Sequence, residues 1–390
     1  MTATAAPRAG STPTTERSLG PDLARGVMLL AIALANSHYF LVGSSYLGGF
    51  PLGQGPVDRA VAWATTTFVD GRAFPMFGLL FGYGVAQIVR RQGDARPRTV
   101  RRLLWRRAGV LVVVGFLHAV LLYVGDILAA YGVLLLVGAW AVRWRDGWLL
   151  GVAAAFWLLT ALPGDGTLAD ATEGPDLATM LPTDLGAMLV DRAFASAFIA
   201  SLGPVGFACP FLLGLWAGRR RLLERPAAEH RARRARGLLA VGLGGVAAAA
   251  VGAQPLALLQ LGGGVVPDGP TLSRLAALHD ATGVLGGLGY AALIALLALR
   301  IEESGRAGRR VVLALQAVGQ RSMTCYLAQS VVWTLAFTPA LLGLADDLTI
   351  ATDALLAISA WLLTVALADW LRRTGRRGPF EVIVRRATYR

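Results

Sequence analysis

Long apolar runs separated by short, strongly polar connections dominate the chain, without the period-two alternation that marks half-buried strands. Ten runs qualify as membrane spans, on the rule that about 20 mostly apolar residues are needed for a helix to cross the hydrocarbon core with its backbone polar groups satisfied internally. They lie near 23–42, 60–90, 105–125, 127–142, 147–163, 196–217, 237–258, 281–300, 312–337 and 354–371. The pattern predicts an all-α polytopic membrane helix bundle of about ten transmembrane helices, filling residues 19–375, with the long second span bent at Pro75.

The connections divide into two kinds. The 90–107 and 218–236 connections each carry eight arginines, and further arginines follow at 143 and 145, at 300–310 and at 372–390. The alternate connections are acidic: 164–195 has Arg192 alone against six carboxylates, and 338–353 has only Asp346, Asp347 and Asp353. Basic residues collect on the cytoplasmic side of short loops. Ten spans with both termini cytoplasmic fit this alternation, and orientation accounts for the basic loops, so no nucleic-acid partner is expected. Residues 1–18 are polar and lack an apolar core, which predicts a disordered cytoplasmic tail and not a signal peptide. Residues 376–390 are short, basic and aromatic, which suggests an interfacial anchor on an anionic leaflet.

Composition sharpens the class. Of 390 residues, 55% are apolar and 16% charged, with a net charge of +13 and a mean hydropathy of +0.56, against about 25% charged in a soluble domain. A secreted disulfide scaffold, a disordered regulator and a soluble two-domain enzyme are excluded. All 37 basic residues are arginine, so no lysine can serve catalysis. Cys209 and Cys325 sit in separate apolar stretches and no metal-ligand spacing occurs, so neither a structural disulfide nor a dedicated metal site is expected. The lysine-free, Ala-, Gly- and Arg-rich composition is that of a GC-rich bacterial genome, which points to a multi-pass protein of a bacterial plasma membrane.

Function in such a chain is sought among ionisable groups placed where they are expensive, since these face a cavity, pair, or line a pathway. The first span carries Asp22 and Arg25, spaced to pair on one helical face, and then Asn36 and His38. The second carries Asp70 and Arg72, which can pair with each other in a helix bend. His118 lies in the run VLVVVGFLHAVLLYVGD, whose next ionisable residue is Asp126. On a continuous helix the eight-residue separation amounts to roughly 12 Å, too far for a hydrogen bond. Asp126 is therefore expected to cap the following helix, and His118 to take its partner from elsewhere, with Asp70 at a suitable depth. The ninth span adds Arg321, Tyr326 and Gln329, and the tenth Asp369. Gly78 and Gly82 in GLLFGYG have small-residue spacing for close helix packing; without a preceding strand or a following G-K-[ST] they are no phosphate loop.

These residues together resemble the YeiB-like family of multi-pass membrane proteins, a domain of unknown function numbered 418. The resembling blocks are PDLARGVMLLAIALAN, FPMFGLLFGYG, RRLLWRRAGVLVVVGFLHAVLLYVGDILAAYG, and VGQRSMTCYLAQS with GPFEVIVRRATY, nearly end to end. The third is the most specific, through His118, Gly125, Asp126 and Tyr131. The family looks related to transmembrane acyltransferases of the acetyltransferase-3 and heparan-glucosaminide groups, which pass an acyl group from cytoplasmic acyl-CoA to an acceptor across the membrane. Two departures stand out. Asp22 and Arg25 fit the acetyltransferase-3 pattern in the first span, but Asn36 stands where its histidine would. The heparan-type histidine before F-P-x-F is missing from AVAWATTTFVDGRAFP.

Under this resemblance His118 becomes the substitute general base, oriented by Asp126 or Asp70, with Arg72 or Arg321 stabilising oxyanion charge. Arg25, Asn36, His38, Arg321, Tyr326 and Gln329 are the substrate-binding candidates. No cofactor would be tightly bound; acyl-CoA would be a co-substrate, and the acceptor an envelope glycan, a lipid or a small metabolite. A second class of function, a non-enzymatic transporter or lipid-handling protein, would use the same groups as a proton relay or substrate site. A third, a structural or regulatory subunit, would use them only to fix helix packing.

Overall fold

A computed structural model describes residues 18–93, 95–164, 169–176, 178–262 and 266–389. The expected N-terminal tail lies outside the described residues apart from Ser18. The described chain is built of thirteen α-helices: α1 Leu19–Ser37, α2 Pro56–Phe68, α3 Ala73–Arg91, α4 Pro97–Leu121, α5 Leu128–Gly138, α6 Asp146–Thr160, α7 Leu185–Arg219, α8 Arg231–Leu261, α9 Gly269–Glu303, α10 Arg310–Gln320, α11 Ser322–Phe337, α12 Ile350–Arg373 and α13 Pro379–Tyr389. One antiparallel hairpin, Tyr46–Leu47 with Phe50–Pro51, interrupts the helical pattern in the connection after α1.

Every apolar run forms helix, but not every run forms one full-length helix. Seven helical segments among the described residues are long and apolar enough to cross a membrane: 19–40, 56–91, 97–121, 185–219, 228–261, 269–303 and 350–373. The 11 residues of α5 and 15 of α6 make helices of only about 17 and 23 Å, shorter than the ~30 Å hydrocarbon core. The ninth run is divided at Arg321 into α10 and α11. The second is divided at Val69–Arg72, with Gly71 at φ +70°. The bend expected at Pro75 is thus displaced to the residues before it: Pro75 stands in the first turn of α3, where its missing N–H loses no helical bond.

The bundle is organised around α1 and α3. Helix α1 packs on α3, α9, α10 and α12, while α3 packs on α7 and α9. Ala24, Met28 and Leu29 of α1 meet Met76, Leu80 and Tyr83 of α3 and Val318 and Cys325 of the divided ninth run in one buried cluster. Gly82 performs the packing role its spacing suggests. A Cβ there would lie 2.1 Å from the Phe211 carbonyl oxygen, and one on Gly214 would lie 2.1 Å from that of Leu79, so hydrogen side chains let α3 and α7 touch backbone to backbone.

The C-terminal residues form a packed helix and not merely a surface tail. Helix α13 rests on α4 and α11 with Val384 and Thr388, one turn apart, buried beneath it.

Candidate functional site

The fold brings His118 and Asp126 together by ending α4 early. The Leu122 and Tyr123 amides both return to the His118 carbonyl oxygen, at 2.9 and 3.0 Å, and the chain turns before α5 begins at Leu128. His118 Nδ1 then lies 2.7 Å from Asp126 Oδ1. The other carboxylate oxygen accepts the Ala129 N–H at 2.8 Å, capping α5. Asp126 therefore holds both roles, and the separation expected for a continuous helix is overturned because the helix is not continuous. Close approach again rests on a glycine: a Cβ on Gly115, one turn before His118, would lie 2.2 Å from the Ala129 nitrogen.

Non-helical backbone at membrane depth persists only where protein satisfies it. Here the Leu122 carbonyl accepts from Arg192 Nη1 at 3.3 Å and from Thr334 Oγ1 at 3.2 Å. His118 and Asp126 are 4% and 2% exposed. With both Asp126 oxygens accepting, His118 Nδ1 is the donor, and Nε2 has no hydrogen-bond partner among the described residues. The Tyr326 ring stands 5.2 Å from the imidazole, tilted by 55°.

Tyr326 also lines a cavity of about 580 Å3 that opens among the arginine-rich connections. Leu111 of α4, Leu128 and Tyr131 of α5 and Phe77 of α3 share its walls with Asp22 and Arg25. Eight arginines line it, at 25, 90, 91, 107, 221, 321, 377 and 385, against the carboxylates of Asp22, Glu224 and Glu381. They come from distant parts of the chain, so the basic connections that alternate along the sequence converge in space. Arg25 pairs with Asp22 at 3.3 Å and donates to the Leu80 carbonyl at 3.2 Å. Arg321 donates to the Ala317 and Arg376 carbonyls at 3.3 and 2.7 Å. Glu224 accepts from Arg90 at 2.5 Å and Tyr83 at 3.1 Å.

Asp70 and Arg72 belong to a different cluster. Among the described residues neither their mutual side-chain salt bridge nor a bond from either to His118 occurs. Arg72 instead donates to the backbone carbonyl of Asp70, donates to the Ala249 carbonyl at 2.7 Å, and meets His279 Nε2. His279 Nδ1 lies 3.0 Å from Asp280. Tyr290 donates to the Phe68 carbonyl at 2.8 Å, so α9 supplies much of the polar support for the break between α2 and α3. Arg72 is among the largest fully buried side chains, which removes it from the cavity wall.

The other candidates fall outside the cavity. His38 stacks on Phe50 with ring centroids 4.0 Å apart and places Nδ1 3.2 Å from the Leu34 carbonyl. Asn36 is half-buried on α1. Gln329 donates to the Leu29 carbonyl at 3.2 Å, tying α11 to α1. His279, Asp280 and Glu381 carry polar contacts the sequence reading missed. Leu272, Ala276, His279, Gly283 and Gly287 recur at helical spacing on the buried face of α9, a periodicity that could have extended the predicted span backward.

Comparison with known proteins agrees with the resemblance. Residues 217–390 match the family described as Protein of unknown function (DUF418). The chain is 26% identical over 413 aligned residues to the uncharacterised protein YxaH of Bacillus subtilis strain 168, covering 96% of this chain and 95% of that one. It is 37% identical over 135 residues to the uncharacterised protein YeiB of Escherichia coli strain K12, covering 33% of this chain and 31% of YeiB. The chain is accordingly a helical, multi-pass membrane protein whose residues 217–390 match the DUF418 family.

Proposed function

We propose that this protein is an acyl-CoA-dependent membrane acyltransferase of the bacterial plasma membrane. The observation that carries the reading is the buried His118–Asp126 pair, with Nε2 lacking a partner, packed against a tyrosine that walls an arginine-lined cavity. A carboxylate-oriented imidazole with one unengaged nitrogen is the arrangement of a general base. The cavity falls within the size range of small-molecule pockets, and its excess of arginines suits the phosphates of coenzyme A.

In this reading the donor enters from the arginine-rich end and places its thioester beyond Tyr326. His118 Nε2 takes the proton from an acceptor hydroxyl or amine as that atom attacks the thioester carbonyl. The C–S bond breaks as the new acyl bond forms, and coenzyme A leaves as its thiol with the proton returned by the imidazolium. Asp126 keeps Nδ1 protonated throughout and stabilises the charged ring. Arg25 and Arg321 hold donor phosphates. Arg72, Asp70, His38, Asn36 and Gln329 shape the bundle. The acceptor would be an envelope glycan, a lipid or a small metabolite reached from the acidic end.

The test is acyl-CoA-dependent stabilisation of the purified protein in detergent, followed by thiol release on adding a bacterial envelope extract. Stabilisation should rise with acetyl-CoA or a longer acyl-CoA beyond a 3′-phosphorylated adenine nucleotide control. It should survive His118→Ala, while thiol release is lost. No stabilisation beyond the nucleotide control would overturn the donor assignment and favour transport. That second reading draws on the helix breaks at Val69–Arg72, Leu122–Ile127 and Arg321, since discontinuous helices build the substrate sites of many transporters. Uptake into proteoliposomes without thiol release would select it.

A further inference from the structure

The seam between α7 and α8 has no part in the site above. These helices are neighbours in sequence, yet α7 packs on α3 and α8 on α9, with little contact between them. The gap is a groove of about 480 Å3. Leu79 of α3 and Leu288 of α9 form its floor, and Leu213 and Trp216 of α7 face Leu238 and Val241 of α8. At one end the rim is basic, with His230, Arg233 and Arg234. Among the described residues neither Arg233 nor Arg234 is held in an ion pair; Arg234 donates only to the Arg221 carbonyl, at 2.9 Å.

We propose that this groove binds one anionic glycerophospholipid, with an acyl chain between α7 and α8 and the phosphate against Arg233 and Arg234. Three observations select that occupant. The basic rim lies at the arginine-rich end of the bundle, where anionic headgroups meet basic side chains, and Trp216 marks the same interfacial level. From Arg233 to Val241 the groove runs about 12 Å along α8, enough for the upper part of an acyl chain.

The groove and the arginine-lined cavity share a wall. Leu222 and Leu223 face the groove, while Arg221 and Glu224, flanking them, face the cavity. A bound lipid therefore braces the segment that carries two cavity side chains. The proposal does not depend on the acyltransferase reading.

Native mass spectrometry of the purified full chain, titrated with phosphatidylglycerol or phosphatidylethanolamine, tests it. Wild type should retain one phosphatidylglycerol at least tenfold more tightly than phosphatidylethanolamine, the preference weakening with salt. Arg233→Gln combined with Arg234→Gln should bring the preference near unity by weakening phosphatidylglycerol far more than phosphatidylethanolamine. Nothing lies within 4 Å of a Cβ built on Gly237, a groove residue, so Gly237→Trp should fill the groove and abolish retention of either lipid, and Gly237→Ala should retain both. Equal binding of the two lipids by wild type, or an undiminished preference in the double arginine variant, overturns the proposal. So does full retention by Gly237→Trp. The arginine variant decides the matter even if the tryptophan variant does not fold.

Discussion

His118 and Asp126 are eight residues apart in sequence and 2.7 Å apart in space, Nδ1 to Oδ1, because α4 ends three residues after the histidine and the chain turns back on it. The same aspartate caps the next helix through Ala129. One carboxylate thus sets both the imidazole orientation and the start of α5.

The pair can be separated into these roles by substitution. Asp126→Asn keeps an oxygen for the Ala129 amide but removes the charge facing the imidazole. His118→Ala and Asp126→Asn should each lower acyl-CoA-dependent thiol release by about 10²–10⁴-fold, the usual worth of general-base catalysis. Asp126→Ala should additionally lower the unfolding temperature, since a lost helix cap costs about 1 kcal/mol. Wild-type turnover by His118→Ala would remove the histidine from the mechanism.

Arg72 is expected to be structural. Its guanidinium bonds two carbonyls and meets His279 across the break between α2 and α3. Arg72→Lys cannot reproduce that planar fork. Each carbonyl left unpaired costs about 1–3 kcal/mol, so thermal unfolding in detergent should fall clearly while acyl-CoA affinity per folded molecule is kept. Unchanged stability would refute the clamp.

Glu381 holds α13 to the start of α11. Its carboxylate accepts from the Met323 and Thr324 amides at 2.9 and 3.2 Å and from the Thr324 hydroxyl at 2.5 Å. Glu381→Ala should release α13, at a cost of about 1–2 kcal/mol by analogy with a helix cap. Limited trypsin digestion reads this directly, because Arg385 and Arg386 lie on α13. Cleavage there should accelerate several-fold, and an unaltered rate would show that the apolar contacts of α13 suffice.

Asp146 provides a pH signature at the arginine-rich end. Its hydrogen bond with Arg220, then the charges of Arg220 and Arg219, hold its carboxyl below the usual carboxylate range. A lowered folded-state value means that the contribution is present above the unfolded value, near 4, and is lost as pH falls through the folded value. The difference in unfolding temperature between wild type and Asp146→Asn should therefore be constant from pH 8 to about 5 and shrink below about 4. The carboxylate is partly exposed, so the effect stays within about 1 kcal/mol.

Much of the architecture was legible before folding was considered. Apolar runs locate the helices because bilayer burial acts on local composition. The alternation of basic and acidic connections anticipates which loops share one end, and the arginines of the cavity wall bear that out. His279 was hidden because Arg274, His279 and Asp280 depress local hydropathy, so the eighth apolar run begins only at 281 although α9 starts at Gly269.

Local composition, in sum of its effects, specifies which residues are helical, where charge collects and which family the chain resembles, since each depends on neighbours along the chain. Side-chain partners depend on where helices stop and which helices meet. The break after α4 turned a separation of roughly 12 Å into the His118–Asp126 hydrogen bond, and the break before α3 sent Arg72 to His279, 207 residues away. A helix end is set by the carbonyls and amides that other segments can satisfy. For these breaks the satisfying groups, Arg192 and Thr334 in one case and Tyr290 in the other, come from remote sequence, and only packing brings them into reach.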